Sequence, residues 1–348
     1  EKVVQSYFGN KEQFQKKLEA VRSNHHKIIN GLFTADKMLV TQKIDALFDN
    51  ALSFLSEKAN HNYSLVYDQV VSIGELASST IISYYMRHED IENTWLDARK
   101  CIKTDTYFRD ANLDWEKTKT EILIIVKGKS TLISQGFIGS APNGMTTTLG
   151  REGSDYSAAI FAYALVADSV TIWKDVPGVL NGDPREFEDT VLLTQISYRE
   201  AIELAFYGAS VIHPKTLQPL QRKEIPLHVK SFINPNDEGT KVSKGVAIDP
   251  HVPCFIVKND LALIRLSSLD FSFIIEKNIS DIFAMLHKYK MKVDLIQNSA
   301  ISFSVCVFGG CIFSVGMSVD VFVLFFVCII VEINGVCIIF LAFVGGYS

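Results

Sequence analysis

From Ile122 to Val229, apolar β-prone runs alternate with helical stretches, and glycine-rich turns separate them. That alternation constrains the chain most. It calls for an α/β fold, in which helices cover a sheet and loops gather at the strand ends. Ile122 to Val126 and Thr131 to Ile133 read as strands joined by a turn at Lys127-Gly128-Lys129. Gly136-Phe137-Ile138-Gly139 follows, then Gly150-Arg151-Glu152-Gly153-Ser154-Asp155, where a helix rich in alanine opens. Val170 to Trp173 reads as a strand leading into a loop with Pro177, Gly178, Gly182 and Pro184. A helix starts at Ser197-Tyr198-Arg199-Glu200 and stops at Gly208, and strands are expected near Val211 and at Leu227 to Val229.

The flanks differ from this centre. Phe14, Leu18, Val21, Ile28 and Ile29 recur at helical spacing, so the first hundred residues are expected to be mostly helix. A second helical tract spans Leu65 to His88; Gly74 marks either a helix start near Glu75 or a close backbone approach. A boundary is expected between Val246 and Pro253. Beyond it, a strand at Ala262 to Leu266, a helix at Asp281 to Lys290 and strands at Val293 to Ile296 and Ile301 to Val307 form a small α+β module. The division is therefore 1–250 and 251–348.

A chain of 348 residues, 48% hydrophobic and 21% charged, suits two packed globular units. A net charge of -5 without a dense basic run gives no reason to expect nucleic acid. The six cysteines lack close C-x-x-C pairing and no H-E-x-x-H occurs, so buried thiols in a reducing compartment are expected and no protein-held metal. His25 and His26 read as surface or packing residues. Glu1 to Asn10 lacks the pattern of a signal peptide. Val321 to Val331 is wholly apolar, yet Glu332, Asn334 and Gly335 interrupt the segment short of the ~20 residues of a membrane helix. Strands are expected there instead, and a membrane is not an expected partner.

Three places could carry chemistry. At Gly150 to Asp155 the glycines permit a tight turn, the helix start offers free amides to an anion, and Arg151 can clasp a carboxylate through two hydrogen bonds. Asp155 can hold an ammonium or orient Arg151. A capped helix with a surface arginine explains the segment equally well. Trp173-Lys174-Asp175-Val176-Pro177-Gly178 and Asp183-Pro184-Arg185 lie beyond a strand end. Lysine and arginine there suit phosphate oxygens, and a carboxylate suits the metal ion that accompanies ATP. A plain surface loop is the alternative. Glu75 is a third candidate, though alone it is one of many glutamates, and Thr146 to Thr148 sit in a long loop, Gly139 to Gly153, that either closes over substrate or is plainly solvent-exposed. No G-x-x-x-x-G-K-[ST] occurs.

Taken together, Ser134 to Gly139, Thr146 to Arg151, Gly153 to Tyr156, Trp173 to Gly178, Asp183 to Arg185, Gly208-Ala209 and His213-Pro214 resemble the aspartate kinase signature, in family order. Ser72 to Ser78 resembles the segment around that family's substrate-binding glutamate, and Trp95 to Lys103 is also similar. The resemblance implies an amino-acid kinase fold, a central sheet between helices, followed by an α+β ACT-like regulatory domain. It implies transfer of the γ-phosphoryl group of ATP, with Mg2+, to the β-carboxylate of L-aspartate in the cytoplasm. It puts Glu75, Arg151, Ser154 and Asp155 at the aspartate. It puts Lys174, Asp175, Gly178, Asp183 and Arg185 with the nucleotide, and lysine or threonine as effector of a homodimer or higher homo-oligomer.

Two departures stand out. The family opens on a strand ending K-F-G-G-T-S, whereas Lys2-Val3-Val4 leads here into Gln5-Ser6-Tyr7-Phe8-Gly9, so the chain is expected to begin after the family's amino terminus. The other is the tail, since the sequence after Val307 does not match the ordinary ACT pattern; Leu180 also stands where many relatives carry an aromatic residue. Another carboxylate amino-acid kinase, a catalytically silent amino-acid-binding subunit, and fusion to a dehydrogenase remain alternatives.

Overall fold

The computed structural model describes residues 2–56, 61–208, 211–259, 261–267, 273–289, 291–308, 325–333 and 336–344. In chain order they form α1 (Lys2–Gly9), α2 (Lys11–Leu32), α3 (Lys37–Ser56), α4 (Tyr63–His88), β1 (Thr94–Leu96), a short 3-10 turn at Ala98–Lys100, α5 (Trp115–Val126), β2 (Leu132–Ser134), β3 (Ile138–Ser140), β4 (Thr146–Thr148), α6 (Gly153–Leu165), β5 (Val170–Lys174), β6 (Gln195–Ser197), α7 (Tyr198–Tyr207), α8 (Pro214–Lys223), β7 (Leu227–Ser231), β8 (Thr240–Ser243), β9 (Cys254–Lys258), β10 (Leu261–Ser267), α9 (Glu276–Lys288), β11 (Val293–Asn298), β12 (Ser302–Phe308), β13 (Phe325–Ile333) and β14 (Val336–Val344). They divide into two compact units, Glu1–Ile172 with Ile212–His228, and Trp173–Val211 with Val229–Ser348.

The first unit opens on four helices. Asn10 and Asn62 cap α2 and α4 by accepting from the amides of Gln13 and Leu65. Phe14, Leu18 and Ile29 point inward with Ile44, Phe48 and Val66, as the helical spacing requires, whereas Ile28 is outside that stripe and half exposed. His26 Nε2 bonds Asp45 at 2.8 Å and His25 bonds the Val21 carbonyl, so both histidines have structural partners. Gly74 interrupts nothing: α4 runs through it, and a side chain there would meet no atom within 4 Å. Neither the break nor the close approach expected at Gly74 exists.

A second core of this unit gathers Leu76, Ile102, Ile122, Ile138, Leu149 and Ile160. Ile122 to Val126 is not a strand but the last turns of α5, which Asp114 caps by accepting from Lys117 N–H. Ile122 is fully buried while Leu123 and Ile124 are exposed, so one helical face is covered and the β-prone composition is overridden by the cap and by packing. β1 and β2 pair in parallel, and β3 and β4 form an antiparallel pair. Among the described residues, the strand expected near Val211 is also absent. That residue lies in a turn before α8, which starts with Pro214 after the His213 cap.

The strand order β5-β7-β8-β6 makes a four-stranded sheet in which β6 and β8 run parallel. Ser197 and Glu200 close a capping box at the start of α7, and Gly208 ends it, as read from the sequence. Further along the second unit, β10-β12-β11 is an antiparallel sheet, with Leu286 of α9 packed on Ala262, Phe303, Val305 and Val307. This is the expected α+β module. β13 and β14 pair antiparallel and β13 also pairs with β9, so strands form where the apolar tail predicts them; 321–324 lie outside the described residues. Cys101, Cys254 and Cys306 are free and buried, and burial pushes each thiol up to about 11. Among the described residues, no helix is long and apolar enough to cross a membrane.

Candidate active site

In the first unit the chemistry-bearing residues sit on a turn that α4 holds in place. Asp68, fully buried on α4, accepts from Thr148 Oγ1 at 2.9 Å and from the amides of Thr148 and Arg109 at 3.0 Å each. Gln69 beside it donates to the Thr146 carbonyl at 2.8 Å and accepts from Thr146 N–H at 3.2 Å. Two neighbouring polar side chains thus grip β4 as a partner strand would. Thr146 to Thr148 are all buried, and Thr147 shares a 2.7 Å hydrogen bond with Thr104. These threonines are therefore framework, which corrects the expectation that they cover substrate.

Beyond β4 the chain turns at Gly150, with φ at 79°, and again at Glu152, with φ at 55°, before α6 begins. Arg151 is carried between these two left-handed positions and is exposed. Glu152, the N-cap of α6, makes no side-chain capping bond, and the Gly153 amide donates to the Gly150 carbonyl at 3.1 Å, so the positive end of the helix dipole lies at the turn that carries Arg151. Ser154 is exposed and Asp155 half-buried in that first turn. Gly136 explains how closely the turn is packed: a Cβ there would lie 2.8 Å from Ser154 Cα. Phe137 N–H donates to Ser157 Oγ at 2.9 Å, fastening the same turn to α6. Burial, then the charges of Lys215 and Arg151, hold His213 below its ordinary value.

Glu75 stands on α4 one turn beyond Ser72, next to Leu76, whose side chain joins Leu149 and Ile160 in one core. Burial raises its carboxyl above the usual range, and no basic side chain offsets this among the described residues. A half-buried carboxylate without a cation of its own suits an ammonium ligand.

The remaining candidates belong to the second unit. The loop from Lys174 to Arg185 leaves β5, where the Lys174 carbonyl accepts from Phe232 N–H at 2.8 Å and Trp173 packs against Phe232. Gly178 is buried with φ at 151°, and a Cβ there would fall 2.5 Å from Thr240 Oγ1. Thr240, fully buried, accepts from Val179 N–H at 2.8 Å and donates to the Leu193 carbonyl at 2.6 Å, so one hydroxyl fixes both limbs of the loop. Asp175 is exposed and Lys174 half-buried. Asp183 and Arg185 are joined to each other: Arg185 Nε and Nη2 fork onto the carboxylate at 3.0 and 2.6 Å. That fork and the Arg185 amide hold Asp183 below the carboxylate range.

The structure thus joins Arg151, Ser154 and Asp155 at one helix start and pairs Asp183 with Arg185. It sets Glu75 on a separate helix whose core they share. Asp68, Gln69 and Thr240 were not singled out from the sequence. For Asp68 and Gln69 the signal is a polar pair inside an otherwise apolar stretch of α4; Thr240 carries none.

The amino acid kinase family model matches residues 8–231. Lysine-sensitive aspartokinase 3 of Escherichia coli is 34% identical over 295 residues, which is 84% of this chain and 65% of that protein. The chain thus spans just under two thirds of that relative. The crystal structure of E. coli aspartokinase III with lysine and aspartate, in the T-state, superposes with a TM-score of 0.76 at 30% identity, covering 94% of this chain and 77% of that one. The R-state structure of the same enzyme with aspartate and ADP gives 0.76 at 29% identity and the same coverage. With Arg151 carried on a glycine turn at the start of α6 and the aspartate–arginine loop beyond β5, these likenesses make the chain a member of the amino acid kinase family.

Proposed function

We propose that the chain provides the kinase part of an enzyme that phosphorylates the β-carboxylate of L-aspartate with ATP. The observation that carries this is Arg151, raised between two left-handed residues at the uncapped start of α6. A guanidinium at the positive end of a helix suits a carboxylate, and the half-buried Glu75 suits the ammonium of the same amino acid. The bound aspartate and ADP of the E. coli R-state structure agree with this class of ligand.

In this reading Arg151, Ser154 and Asp155 hold and orient the amino acid, and Glu75 fixes its charged nitrogen. The Lys174–Arg185 loop takes the nucleotide: Gly178 brings backbone close, and Lys174 and Arg185 face phosphate charge. Arg185 exchanges Asp183 for a phosphate oxygen at little cost, because it is exposed. A Mg2+ ion would arrive on the nucleotide phosphates. Asp175 and Asp183 are the loop carboxylates available to it, and when bound the ion neutralises phosphate charge. The attacking carboxylate is ionised near neutral pH, so no general base is needed; positioning and charge neutralisation supply the rate.

Residues 251–348 form, in the same proposal, an ACT-like regulatory domain responsive to lysine or threonine, in a cytoplasmic homo-oligomer. The α+β module and its exposed Phe273, Met285 and Ile296 support that part. The test is hydroxylamine trapping of acyl phosphate from L-aspartate and Mg-ATP, with N-acetylglutamate as control. A preference for N-acetylglutamate would overturn the substrate.

A further inference from the structure

Asn181 lies inside the Lys174–Arg185 loop, two residues before Asp183, and is only 9% exposed. Both ends of its amide are occupied. Oδ1 accepts from Val191 N–H at 2.7 Å, and the Asn181 N–H donates to the Val191 carbonyl at 2.9 Å, closing the loop on its returning limb. Nδ2 points elsewhere and donates to the Pro253 carbonyl at 3.1 Å, while the Asn181 carbonyl accepts from Phe255 N–H at 2.6 Å. Phe255 belongs to β9, and its ring lies 5.5 Å from that of Phe187, just past Arg185. A buried amide is costly unless both its donor and its acceptor are satisfied; here each half serves a different segment.

β9 continues away from the loop as a hydrogen-bonded strand, paired antiparallel with β13. Its last residue, Lys258, is ion-paired with Asp294, which is 9% exposed. Asp294 sits where the β11–β12 register shifts between Val293 and Leu295. A bulge at that point re-aims one side chain out of the strand's alternation. β9 is therefore held by the nucleotide loop at one end and by the α+β module at the other, across five residues or about 16 Å of extended chain.

We propose that Asn181 is a positioning residue that ties the nucleotide loop to β9, so that displacement of β9 is transmitted to Asp183 and Arg185. The inference rests on the reading of this loop as the nucleotide site. A paired strand moves as a unit, and the bonds from Asn181 enter it at Phe255 and at the residue just before it starts. A ligand that shifts the module around Asp294 would then alter the loop without touching it.

Hydrogen exchange on the whole chain, with and without a saturating non-hydrolysable ATP analogue and Mg2+, tests this. In the native protein the nucleotide is expected to slow exchange at 178–186 and also at 254–258. In Asn181→Asp the acceptor for Val191 remains, but a carboxylate oxygen replaces the donor to Pro253. Protection should persist at 178–186 and be lost at 254–258. Steady-state kinetics give a second readout: KM for ATP rises while KM for aspartate holds, a split that general loosening would not give. Native protection confined to 178–186 overturns the inference and leaves the nucleotide site standing, and needs no variant. Protection of neither segment overturns the nucleotide reading and this inference with it. A variant that keeps native protection at 254–258 shows that the Asn181 side chain is not the tie, since only its bond to Pro253 is removed.

Discussion

Asp68 and Thr148, 80 residues apart in the chain, are joined by two hydrogen bonds, one to the threonine hydroxyl and one to its amide. A third, from Arg109 N–H, completes the acceptor set of a fully buried carboxylate. The bonds favour the ionised form, but burial outweighs them and the carboxyl lies above its usual range. The sign follows from linkage. A raised native pKa means the folded state holds its proton more tightly than the unfolded chain, so stability falls as pH rises from the ordinary carboxylate value through the raised one.

Asp68→Asn separates charge from geometry. The amide oxygen can take both backbone N–H groups, and Thr148 Oγ1 can turn to accept from the amide nitrogen. This variant should melt close to the native protein and lose the decline in stability across the mildly acidic range. Asp68→Leu leaves three donors unmet at about 1–3 kcal/mol each, so it should lower stability by several kcal/mol at every pH. Thermal melts between pH 4 and pH 8 would decide. An Asn variant as damaging as Leu would show that the charge itself is required.

Gly136 tests how tightly the turn around Arg151 is built. A methyl group there has to displace the backbone of Ser154, since the built contact is 2.8 Å from its Cα. Overpacking of this kind costs about 1–3 kcal/mol. In Gly136→Ala, KM for aspartate should rise because the start of α6 moves, while KM for ATP stays near native. A variant with native aspartate kinetics and a native melt would remove Gly136 from the account.

The amphipathic spacing of Phe14, Leu18 and Ile29, the Ser197–Glu200 capping box and the α+β order after Leu261 were legible because each rests on residues close in sequence. The turn around Arg151 was legible for the same reason. What stayed hidden is long-range. Asp68 with Thr148, Gln69 with Thr146, Thr240 with Val179 and Asn181 with Pro253 are 61 to 80 residues apart, and no spacing announces them. Ile122 to Val126 misled because strand propensity is a weak preference, and Asp114 caps a helix from outside the apolar run. The Asp183–Arg185 cluster was visible, but not that the two residues bind each other.

That pairing gives a prediction of its own. Arg185 is exposed and its fork is what holds Asp183 low. Arg185→Ala should leave the melt unchanged, since exposed pairs contribute little. It should raise the Asp183 pKa toward the ordinary carboxylate value, readable by NMR titration. KM for ATP should increase and KM for aspartate should not. If ATP kinetics are untouched, the fork is a surface pair only.

Arg151 carries the sharpest test of the two ligand sets. It is exposed, so Arg151→Ala removes no core contact and should fold and melt as the native chain does. On the proposed reading it removes a charge-assisted fork to the substrate carboxylate. Loss of a hydrogen bond to a charged group costs about 1.5–3 kcal/mol, roughly 10- to 150-fold in an equilibrium constant. The apparent affinity for aspartate should fall by that factor. Arg151→Lys should recover part of it, because an ammonium keeps the charge but not the planar pair of donors. His213 offers an internal check, since Arg151 helps hold its imidazole below the ordinary value. In Arg151→Ala its pKa should rise, and in Arg151→Lys it should rise less. Lys174→Ala should act through ATP instead. Kinetics varying each substrate in turn, with a melt for each variant, separate these outcomes. An Arg151→Ala protein that binds aspartate normally and loses only ATP affinity would reverse the assignment of the two sets.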